Sequence, residues 1–544
     1  MRFGMRALTK ESRALLQSRD GLRTLSGRRV IIVGAGPGGL ATALLLARAG
    51  VHVTLLEKDP AVGGRTKTVE APGGYRFDIG PTFFLYPQIL ADIFETCGER
   101  LEDHVKLERL DPQYHLVFEG KDGISGEIRA TNDMDRLEAE VARIAPEDAK
   151  NVRKFFADNR VKLKFFKPVL EQAFHTLRAM ASPAMIAALP HLHPGRSVDK
   201  DLQRYFKDPR VRLAFAFQTK YLGMSPFRCP SLFTILSFLE YEHGVYHPVG
   251  GCGAVSEAMA GLARRMGVDV RLGAGVERVL FEGKRASGVI CNGETIPADA
   301  VVINGDFAKV IQDLVPQRHR PRWRDTKIDK ARLSCSTFML YLGLDGPMPE
   351  ALGHHTILLS EDYARNIREI TDGILPMQPS LYVQHAGFTD GGMAPPGQTS
   401  LYVLVPVPNL KADIDWKALR ATYRQLVLDR LKLLGLDDIE SRIRYERIVD
   451  PTEWRDDFFV HEGATFNLAH DLMQMLYFRP HNRFGPGLYL VGGGTHPGSG
   501  LPVIYEGARI TARLLIEELS AGRVAAASAG IPTTAPLAAS GDAT

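Results

Sequence analysis

Three glycines stand between a short apolar run and a helix-forming segment near the start of the chain. Gly34, Gly36 and Gly39 follow directly on the apolar residues 30–33. Such a run is typical of a buried parallel strand, and residues 40–48 have the composition of a helix. Gly34 permits a tight turn, Gly36 lets the backbone approach a phosphate, and Gly39 lets helix and strand pack closely. The pattern predicts a Rossmann-type βαβ unit that binds a dinucleotide at a helix N-terminus.

The residues that follow this unit discriminate between dinucleotides. The next apolar run, 51–56, ends at Glu57, whose carboxylate can accept hydrogen bonds from a ribose hydroxyl and repels a 2′-phosphate. NADP is therefore disfavoured. A second diglycine follows in the Gly-Gly-Arg-Thr stretch at 63–66, and 77–82 offers another tight backbone segment. An NAD dehydrogenase has no particular need of that diglycine, whereas the longer FAD runs on past the first strand pair, so the sequence favours FAD.

A second glycine-rich segment, 492–502, lies more than four hundred residues further along the chain. It follows the apolar run 488–491 and precedes a helix that we expect over about 501–519. Apolar strands and helices also alternate around 250–304, with a strand pair expected at about 268–272 and 275–281. The sequence therefore predicts an α/β fold, in which a Rossmann-type FAD-binding domain is assembled from separated blocks and a mixed α+β substrate domain lies between them.

The same alternation suggests where the domains begin and end. The division that we expect is a basic N-terminal extension (1–28), an FAD-binding domain (29–100, 240–315 and 484–519), a substrate and membrane-associating domain (101–239 and 316–483) and a disordered tail (520–544). The extension has no apolar core of signal-peptide length, so either a solvated arm or a transit-like or membrane-surface role is open. The tail is rich in Ala, Ser, Gly, Thr and Pro.

Composition narrows the partners and the compartment. A formal net charge of +4 is too small to suggest a nucleic acid partner. The five cysteines are scattered without a C-x-x-C pair, which is typical of a reducing, cytoplasmic compartment, and we assign no metal site. No apolar run approaches the roughly 18 residues that a spanning helix needs. Membrane contact is therefore expected to be peripheral.

A basic, aromatic-rich stretch at 151–189 supports two interpretations. It interleaves phenylalanines with lysines and arginines in a helix-prone context. Such a segment can lie on an anionic membrane surface. It can equally form a helical subdomain that buries its aromatic side chains and leaves its basic ones in water.

Several motifs, in order along the chain, resemble those of one known family. They include the Leu-Glu stretch that leads to Pro-x-Gly-Gly at 239–251, Phe-Arg-Pro-His-Asn-Arg at 478–483, and the block 488–502. In these motifs the chain resembles the FAD-dependent carotenoid (phytoene) desaturases of bacterial and fungal type, over about 29–519. The resemblance implies an amine-oxidase-like flavoprotein architecture. Cys252 and the detail of 498–506 depart from the usual pattern, which leaves the exact substrate open.

The resemblance also implies a set of cofactor contacts. Carried over position by position, the residues expected to bind FAD are Gly34, Gly36, Gly39, Glu57, Lys58, Gly64, Arg65, Val276, Gly494, Thr495 and Val503. Val276 is expected on the adenine side, and the last three near the isoalloxazine. A glycine-rich loop that leads into a helix places free N–H groups where reduction builds negative charge on the flavin.

The activity implied is desaturation of a long isoprenoid polyene, a phytoene-like carotenoid precursor. No side chain accepts a hydride, so FAD supplies that chemistry and the protein supplies a water-free, oriented tunnel. The neighbouring carbon loses a proton, for which Glu242 and His496 are the candidate catalytic residues. A substrate that resides in the bilayer implies a peripheral membrane surface, and a quinone or oxygen is the expected electron acceptor.

Other activities are compatible with the same scaffold. A flavin amine oxidase shares both ends of the cofactor site, but it needs aromatic residues around the amine and none flank His496 in sequence. A carotenoid oxidase or ketolase and an isomerase also remain open. A non-enzymatic escort protein of the Rab-escort type is disfavoured, because a scaffold need not keep a flavin-facing loop.

Overall fold

The fold is described by a computed structural model, which covers residues 25–528. Most of the predicted basic extension and the last sixteen residues of the predicted tail, 529–544, lie outside the described residues. Within the described range, none of the helices is both long enough and apolar enough to cross a membrane.

Short strands in several sheets alternate with helices along the described chain. The strands are β1 (Arg29–Val33), β2 (His52–Leu56), β3 (Thr68–Ala71), β4 (Tyr75–Asp78), β5 (Phe84–Leu85), β6 (Leu107–Arg109), β7 (Tyr114–Gly120), β8 (Gly123–Ala130), β9 (Val245–Pro248), β10 (Asp269–Arg271), β11 (Val276–Glu282), β12 (Arg285–Cys291), β13 (Glu294–Pro297), β14 (Ala300–Asn304), β15 (Ser336–Asp345), β16 (His355–Leu359), β17 (Leu381–His385), β18 (Gln398–Val407), β19 (Ile443–Val449), β20 (Arg483–Gly485) and β21 (Leu488–Val491).

The α-helices are numbered in the same way. They are α1 (Pro37–Arg48), α2 (Gln88–Thr96), α3 (Met134–Ile144), α4 (Pro146–Ala149), α5 (Val152–Leu170), α6 (Pro183–Leu192), α7 (Val198–Leu202), α8 (Pro209–Ala214), α9 (Thr234–His243), α10 (Cys252–Arg265), α11 (Phe307–Leu314), α12 (Asp325–Asp329), α13 (Tyr363–Thr371), α14 (Trp416–Leu431), α15 (Ile439–Arg442), α16 (Pro451–Asp456) and α17 (Leu501–Ser528).

A six-stranded sheet carries the predicted dinucleotide fold. Its strand order is β10-β2-β1-β14-β21-β20, and all pairs are parallel except β20 with β21. The central strands are almost entirely buried, which explains their continuous apolar sequence. The strands predicted at about 268–272 and 275–281 both form, but not as a pair: β10 joins β2, and β11 pairs with β12 in a separate three-stranded sheet.

Helices α1, α10 and α17 cover one face of this sheet. α1 is apolar on most of its surface and nearly all of it is buried, packed against both α17 and α10. The helix predicted over 501–519 continues to Ser528, so the first residues of the expected tail are helical. That added stretch contains several alanines, which favour the helix intrinsically.

A seven-stranded sheet forms the second layer of the molecule. Its order is β19-β15-β18-β17-β16-β7-β8, antiparallel except for the parallel pair β16–β7. β15 and β18 pair over ten residues, from Ser336–Val407 to Asp345–Gln398. α14 packs its Trp416 and Tyr423 rings against Phe338 of this sheet. The six-stranded and seven-stranded sheets draw on the segments assigned above to the FAD-binding and substrate domains, and we keep that domain division as a proposal.

The basic, aromatic-rich stretch is part of a helical subdomain. It breaks into α5, a 3₁₀ turn at Leu177–Ala181 and α6, whose first turn begins at Pro183. Phe155, Phe156 and Phe166 of α5 are buried in the core. These three aromatic side chains stabilise the subdomain from within, as the second interpretation predicted. Its other half, basic side chains in water, fails at Lys162, which is buried and pairs with Asp201 over 3.1 Å.

Candidate active site

A cavity of about 660 Å³ is lined by residues of both large sheets. One end lies at the carboxyl edge of the six-stranded sheet, where β1, β2 and β14 end. The other end is lined by side chains of β15, β16, β17 and β18 of the seven-stranded sheet. Ligands of doubly wound sheets bind at such carboxyl edges. We call the two parts the cofactor end and the chamber.

The first glycine-rich turn forms the wall of the cofactor end. Gly34 has a positive φ of 97°, and a Cβ there would clash with the carbonyl oxygen of Asn304. A Cβ on Gly39 would clash with the carbonyl oxygen of Gly34. The Asn304 amide donates a hydrogen bond to that Gly34 oxygen over 3.1 Å. Glycine is therefore required at both positions for strand, turn and α1 to approach each other so closely.

Glu57 is held by the backbone at the end of β2. Its carboxylate accepts hydrogen bonds from the N–H groups of Ala35, at 2.6 Å, and Asp59, at 3.0 Å. The neighbouring Lys58 lies against the ring of Phe459, and burial lowers the pKa of its ammonium group to about 8. The carboxylate and the ammonium thus both line the cofactor end.

The second diglycine continues the same wall. Gly64 has a φ of 53°, and the guanidinium of Arg65 donates to the carbonyl of Thr465 at 2.8 Å. A Cβ on Gly80 would lie 2.7 Å from the Arg65 carbonyl oxygen. This close approach brings the segment 80–83 beside Arg65, and from there it runs into the chamber.

A buried arginine holds the late glycine-rich loop. Arg479 donates to the carbonyl oxygens of Gly493, at 2.6 Å, and Thr495, at 3.3 Å. Burial lowers the pKa of this guanidinium to about 9. The loop residues Gly492 and Gly493 line the cavity and face the early turn across it, so the two distant glycine segments do meet in one site.

The chamber is mainly apolar and aromatic. Its lining includes Phe83, Phe217, Met339, Ile357, Leu381, Tyr382, Tyr402, Leu404 and Pro406. The rings of Tyr382 and Tyr402 lie 5.8 Å apart at 65° to each other. One cation, Lys220, also lines the chamber; its ammonium group lies 4.8 Å from the centre of the Tyr363 ring, and burial lowers its pKa to about 8.

Comparison with known proteins places the chain in a family. The family model for the flavin containing amine oxidoreductases matches residues 37–516. The chain belongs to this family. Among individual relatives, a 4,4'-diapophytoene desaturase (4,4'-diapolycopene-forming) from Methylomonas sp is 42% identical over 90% of this chain and 96% of that protein. An all-trans-zeta-carotene desaturase from Myxococcus xanthus is 40% identical over 91% of this chain and 95% of the relative.

A solved structure confirms the fold of this flavin containing amine oxidoreductase. An oxidoreductase from Methanosarcina mazei matches with a TM-score of 0.59 and 17% identity, covering 88% of this chain and 99% of its own. The predicted amine-oxidase-like architecture and the predicted resemblance to carotenoid desaturases are both confirmed. The protein is an FAD-dependent oxidoreductase.

The residues of the cofactor end fit FAD. The glycine positions leave a cradle in which backbone can approach a pyrophosphate, at the first turn of α1 with its uncommitted N–H groups. Seven of the residues predicted to bind FAD line the cavity: Gly34, Gly36, Glu57, Lys58, Gly64, Arg65 and Val276. They would hold the adenosine and pyrophosphate part of the cofactor.

Four of the predicted residues lie behind the wall instead. Gly39 is a packing position, and a Cβ on Gly494 would clash with Phe307 and Asn467. Thr495 is buried and closes a turn to the carbonyl of Gly492 at 3.0 Å. Val503 does not line the cavity, whereas the flanking residues 499–501 and 504 do. The exact contacts of FAD with the late loop therefore stay a prediction.

Sequence reasoning missed Asn304 and Arg479 as residues that shape this end. Asn304 ends β14 beside the early turn, and carboxyl ends of parallel strands share one edge of a sheet. That rule was a usable signal for Asn304. Arg479 lies in a motif that resembles the family, but no local pattern shows that its guanidinium is buried under the late loop.

The two candidate catalytic residues do not line the cavity. Glu242 forms a bidentate ion pair with Arg160, at 2.9 and 2.8 Å, on the outer side of α9. His496 is buried, with Nε2 at 2.9 Å from the carbonyl oxygen of Gln172 and its ring against Phe174. Burial lowers the pKa of His496 to about 3. Because neither residue lines the cavity, the proton-transfer role expected of them stays a prediction.

Proposed function

We propose that this protein is a flavin-dependent desaturase of a long isoprenoid polyene of the phytoene type. One observation supports the substrate class most directly: the glycine-lined cofactor end opens into a chamber lined by aromatic and aliphatic side chains. An extended hydrocarbon gains free energy by leaving water for such a lining. The two relatives described above are named for diapophytoene and zeta-carotene, which belong to the same chemical class.

The roles of the chain follow from the two ends of the cavity. FAD, when bound, supplies the two-electron oxidation that removes a hydride from an allylic carbon. The cofactor end orients it through backbone and through Glu57, Lys58 and Arg65. The chamber orients the polyene and excludes water, which protects the cationic character that develops on the neighbouring carbon.

The chamber disfavours an amine substrate. Its aromatic pair, Tyr382 and Tyr402, is the kind of feature an amine oxidase needs, and sequence spacing did not reveal it. However, the cation there is Lys220, and the described residues of the seven-stranded sheet that line the chamber include no carboxylate. An ammonium substrate beside Lys220 would meet like charge in a poorly solvated space, with no carboxylate on the strands that line the chamber. A neutral hydrocarbon avoids that cost.

Production of pigment in a host tests the assignment. We expect expression in cells that accumulate phytoene, or its C30 counterpart diapophytoene, to yield coloured polyenes with longer conjugation. The matched control is Gly34→Val, which removes the dinucleotide turn and should leave the host colourless. A wild-type protein that contains FAD, with absorbance near 370 and 450 nm, and produces no new polyene in either host would exclude the desaturase.

The substrate class implies a membrane surface, and one patch on the described structure suits it. Leu177, Ile186 and Met473 are 63%, 59% and 68% exposed. The 3₁₀ turn of Leu177 contacts the helix of Ile186, and it contacts the turn of Met473 through the short turn that follows Met473 in the chain. Arg178 is exposed on the same 3₁₀ turn as Leu177. An apolar patch with a basic rim is the composition of peripheral membrane-binding surfaces.

Vesicle binding tests this surface. We expect the protein to co-sediment with vesicles that contain anionic lipid, and expect Ile186→Ser combined with Met473→Ser to weaken binding at unchanged FAD content. Leu419→Ser is a suitable control, because Leu419 is a 38% exposed apolar residue on α14, which packs against the seven-stranded sheet. Equal binding by the double variant and the wild type would refute this surface.

The compartment and the electron acceptor complete the proposal. All five cysteines lie within the described residues and are unpaired, which suits the cytoplasmic side of a membrane. Electrons leave the reduced cofactor to a quinone or to oxygen. Turnover under argon with an added quinone, compared with turnover in air without it, decides between the two acceptors.

A further inference from the structure

A hydrogen-bonded chain lies in the wall of the chamber. The hydroxyl of Tyr382 lies 2.8 Å from Nδ1 of His355 and 2.6 Å from the hydroxyl of Thr82. Tyr382 and His355 are on the adjacent antiparallel strands β17 and β16, where Tyr382 is paired with Ile357, two residues beyond His355. The contact is therefore a diagonal cross-strand pair, fixed by sheet register rather than by a mobile loop.

The hydrogen-bonded chain has one end at the cavity and one end buried behind it. Tyr382 and Thr82 line the cavity, whereas His355 is buried behind them. Its ring stacks on Phe83, with centroids 4.2 Å apart and planes 12° from parallel. Thr82 and Phe83 belong to the segment that begins beside Arg65 of the cofactor end. The Tyr382 hydroxyl is thus placed near the junction of the two ends, where the reacting carbons of a substrate must lie.

One ring nitrogen of His355 can still form a hydrogen bond. Within the described residues its Nε2 has no hydrogen-bond partner, although it is buried. The titratable groups that face it are Tyr382, the His354 ring at 4.4 Å and His247, which lies 3.1 Å from the Asp390 carboxylate. Burial, with a smaller contribution from His247, lowers the pKa of His355 well below its usual value. The imidazole is neutral at rest.

A desaturation requires a proton acceptor at this place. Removing a hydride from one carbon leaves a cation conjugated with the polyene, and the adjacent carbon must then lose H⁺ for the new double bond to form. The candidates chosen from sequence, Glu242 and His496, do not line the cavity. A proton next to such a cation is strongly acidic, so a weak, neutral acceptor suffices.

Resting on the desaturase function proposed above, we propose that Tyr382 and His355 together form the proton acceptor of the reaction. The C–H bond of the second carbon breaks, and its electron pair forms the new C=C bond with the cationic carbon. The proton goes to the Tyr382 oxygen, whose own hydroxyl proton passes to Nδ1 of His355. With a bound flavin as the hydride acceptor, the polyene would leave neutral and the imidazole would carry the positive charge.

Tyr382 is the catalytic residue of this pair and His355 acts through it. We expect Tyr382→Phe and His355→Phe each to slow single-turnover desaturation about 100-fold, within the range usual for acid–base groups. His355→Asn retains an amide oxygen that can accept the Tyr382 hydrogen bond but cannot take up a proton. It should be as slow as His355→Phe. His115→Asn, a buried histidine of β7 that does not line the cavity, is the control and should keep the full rate.

Recovery of the rate in His355→Asn would reduce His355 to a structural support and overturn the relay. A readout without turnover is the tautomer of His355, from nitrogen chemical shifts of histidine-labelled protein with FAD bound. We expect the proton on Nε2 in the wild type, since Nδ1 must be free to accept. A proton on Nδ1 would contradict the proposal.

The two proposals fail in different ways. A wild-type protein that contains FAD and converts neither phytoene nor diapophytoene refutes the desaturase function and the relay with it. A wild type that converts polyene, while Tyr382→Phe and both His355 variants keep the full rate, refutes the relay alone. FAD content near the wild-type value in each variant separates a lost proton path from a lost fold.

Discussion

The cofactor end and the chamber belong to one cavity, but they are built from different materials. The cofactor end combines the glycine turns that follow β1 and β21 with the side chains of Glu57, Lys58 and Arg65. The chamber is mostly side chains, supplied by the strands of the seven-stranded sheet and by Phe217 and Lys220. A wall of backbone tolerates no added atom, whereas a wall of side chains can change its lining and keep its fold. We therefore expect that few substitutions are tolerated in the part of the cavity that binds the cofactor, and that more are tolerated in the part that binds the substrate.

The two ends also treat a buried cation differently. Lys58 and Lys220 both have pKa values lowered to about 8 by burial. At the cofactor end, Glu57 and Asp59 partly offset that effect, and a bound pyrophosphate would offset it further. In the chamber, the described partners that favour the Lys220 charge are the Tyr363 ring and the Cys335 thiol, and no carboxylate is among them. The chamber therefore keeps a charge at a cost in stability.

The largest effect expected is from a single methyl group at the cofactor end. Gly34→Ala places a Cβ against the Asn304 carbonyl at a positive φ. We therefore expect the free energy of unfolding to fall by about 4 kcal/mol or more, and the protein to lose its bound FAD. Urea unfolding and the absorbance at 450 nm measure both. Gly195→Ala, where a Cβ meets no atom within 4 Å, is the control and should change stability by less than about 0.5 kcal/mol. Retention of FAD by Gly34→Ala would break the distinction between the ends.

The next effect concerns the arginine beneath the late loop. Arg479→Met leaves the Gly493 and Thr495 carbonyls without their donor, and we expect a loss of about 3 kcal/mol. FAD should bind more weakly, because Gly493 lines the cofactor end. Arg455→Met, whose partner is the exposed Asp456, is the matched control. Unchanged FAD affinity in Arg479→Met would show that the loop does not need this support.

In the chamber we expect a substitution to raise the free energy of unfolding instead of lowering it. Lys220→Met removes a poorly compensated charge and should stabilise the protein by about 2 kcal/mol at pH 7. Because the folded-state pKa of about 8 lies below the unfolded value of 10.5, the unfolded chain binds more protons between these values. Wild-type stability therefore rises with pH across that window, and the advantage of the variant disappears above it.

Denaturant unfolding of both proteins from pH 6 to 11 measures this difference. Lys58→Met serves for comparison, since Lys58 belongs to the cofactor end and its removal should weaken FAD binding. A Lys220→Met protein that is less stable than the wild type at every pH would mean that Lys220 has a counter-charge after all.

The smallest effect expected is outside the cavity. Glu242→Gln breaks an ion pair with a half-exposed Arg160, for which we expect a loss of no more than about 0.5 kcal/mol. Desaturation should continue at the wild-type rate, measured by single-turnover reduction of FAD. A Glu242→Gln protein with a strongly reduced rate would restore Glu242 as a proton acceptor and would weaken the case for Tyr382.

The position of Glu242 illustrates why sequence proximity misled. It lies a few residues before the Gly250–Gly251 turn. However, successive residues of α9 point to different sides of the helix, and only some of those sides are buried. Glu240, two residues earlier, is the buried glutamate and accepts from the hydroxyl of Tyr114. Residues two apart on a helix face different directions, and which direction is inward depends on what the helix packs against.

The amino-acid sequence by itself determined the parallel sheet, the dinucleotide turn, the second diglycine and the choice of FAD over NADP. These features are local: they depend on glycine, on apolar runs and on Glu57, whose conformational preferences act within a few residues. Only the tertiary structure decided that Thr82, His355 and Tyr382 share one hydrogen-bonded chain and that Lys220 faces the chamber. Thr82, Lys220 and the strand pair that carries His355 and Tyr382 come from segments more than a hundred residues apart. Strand register and packing, which no local pattern specifies, bring them together.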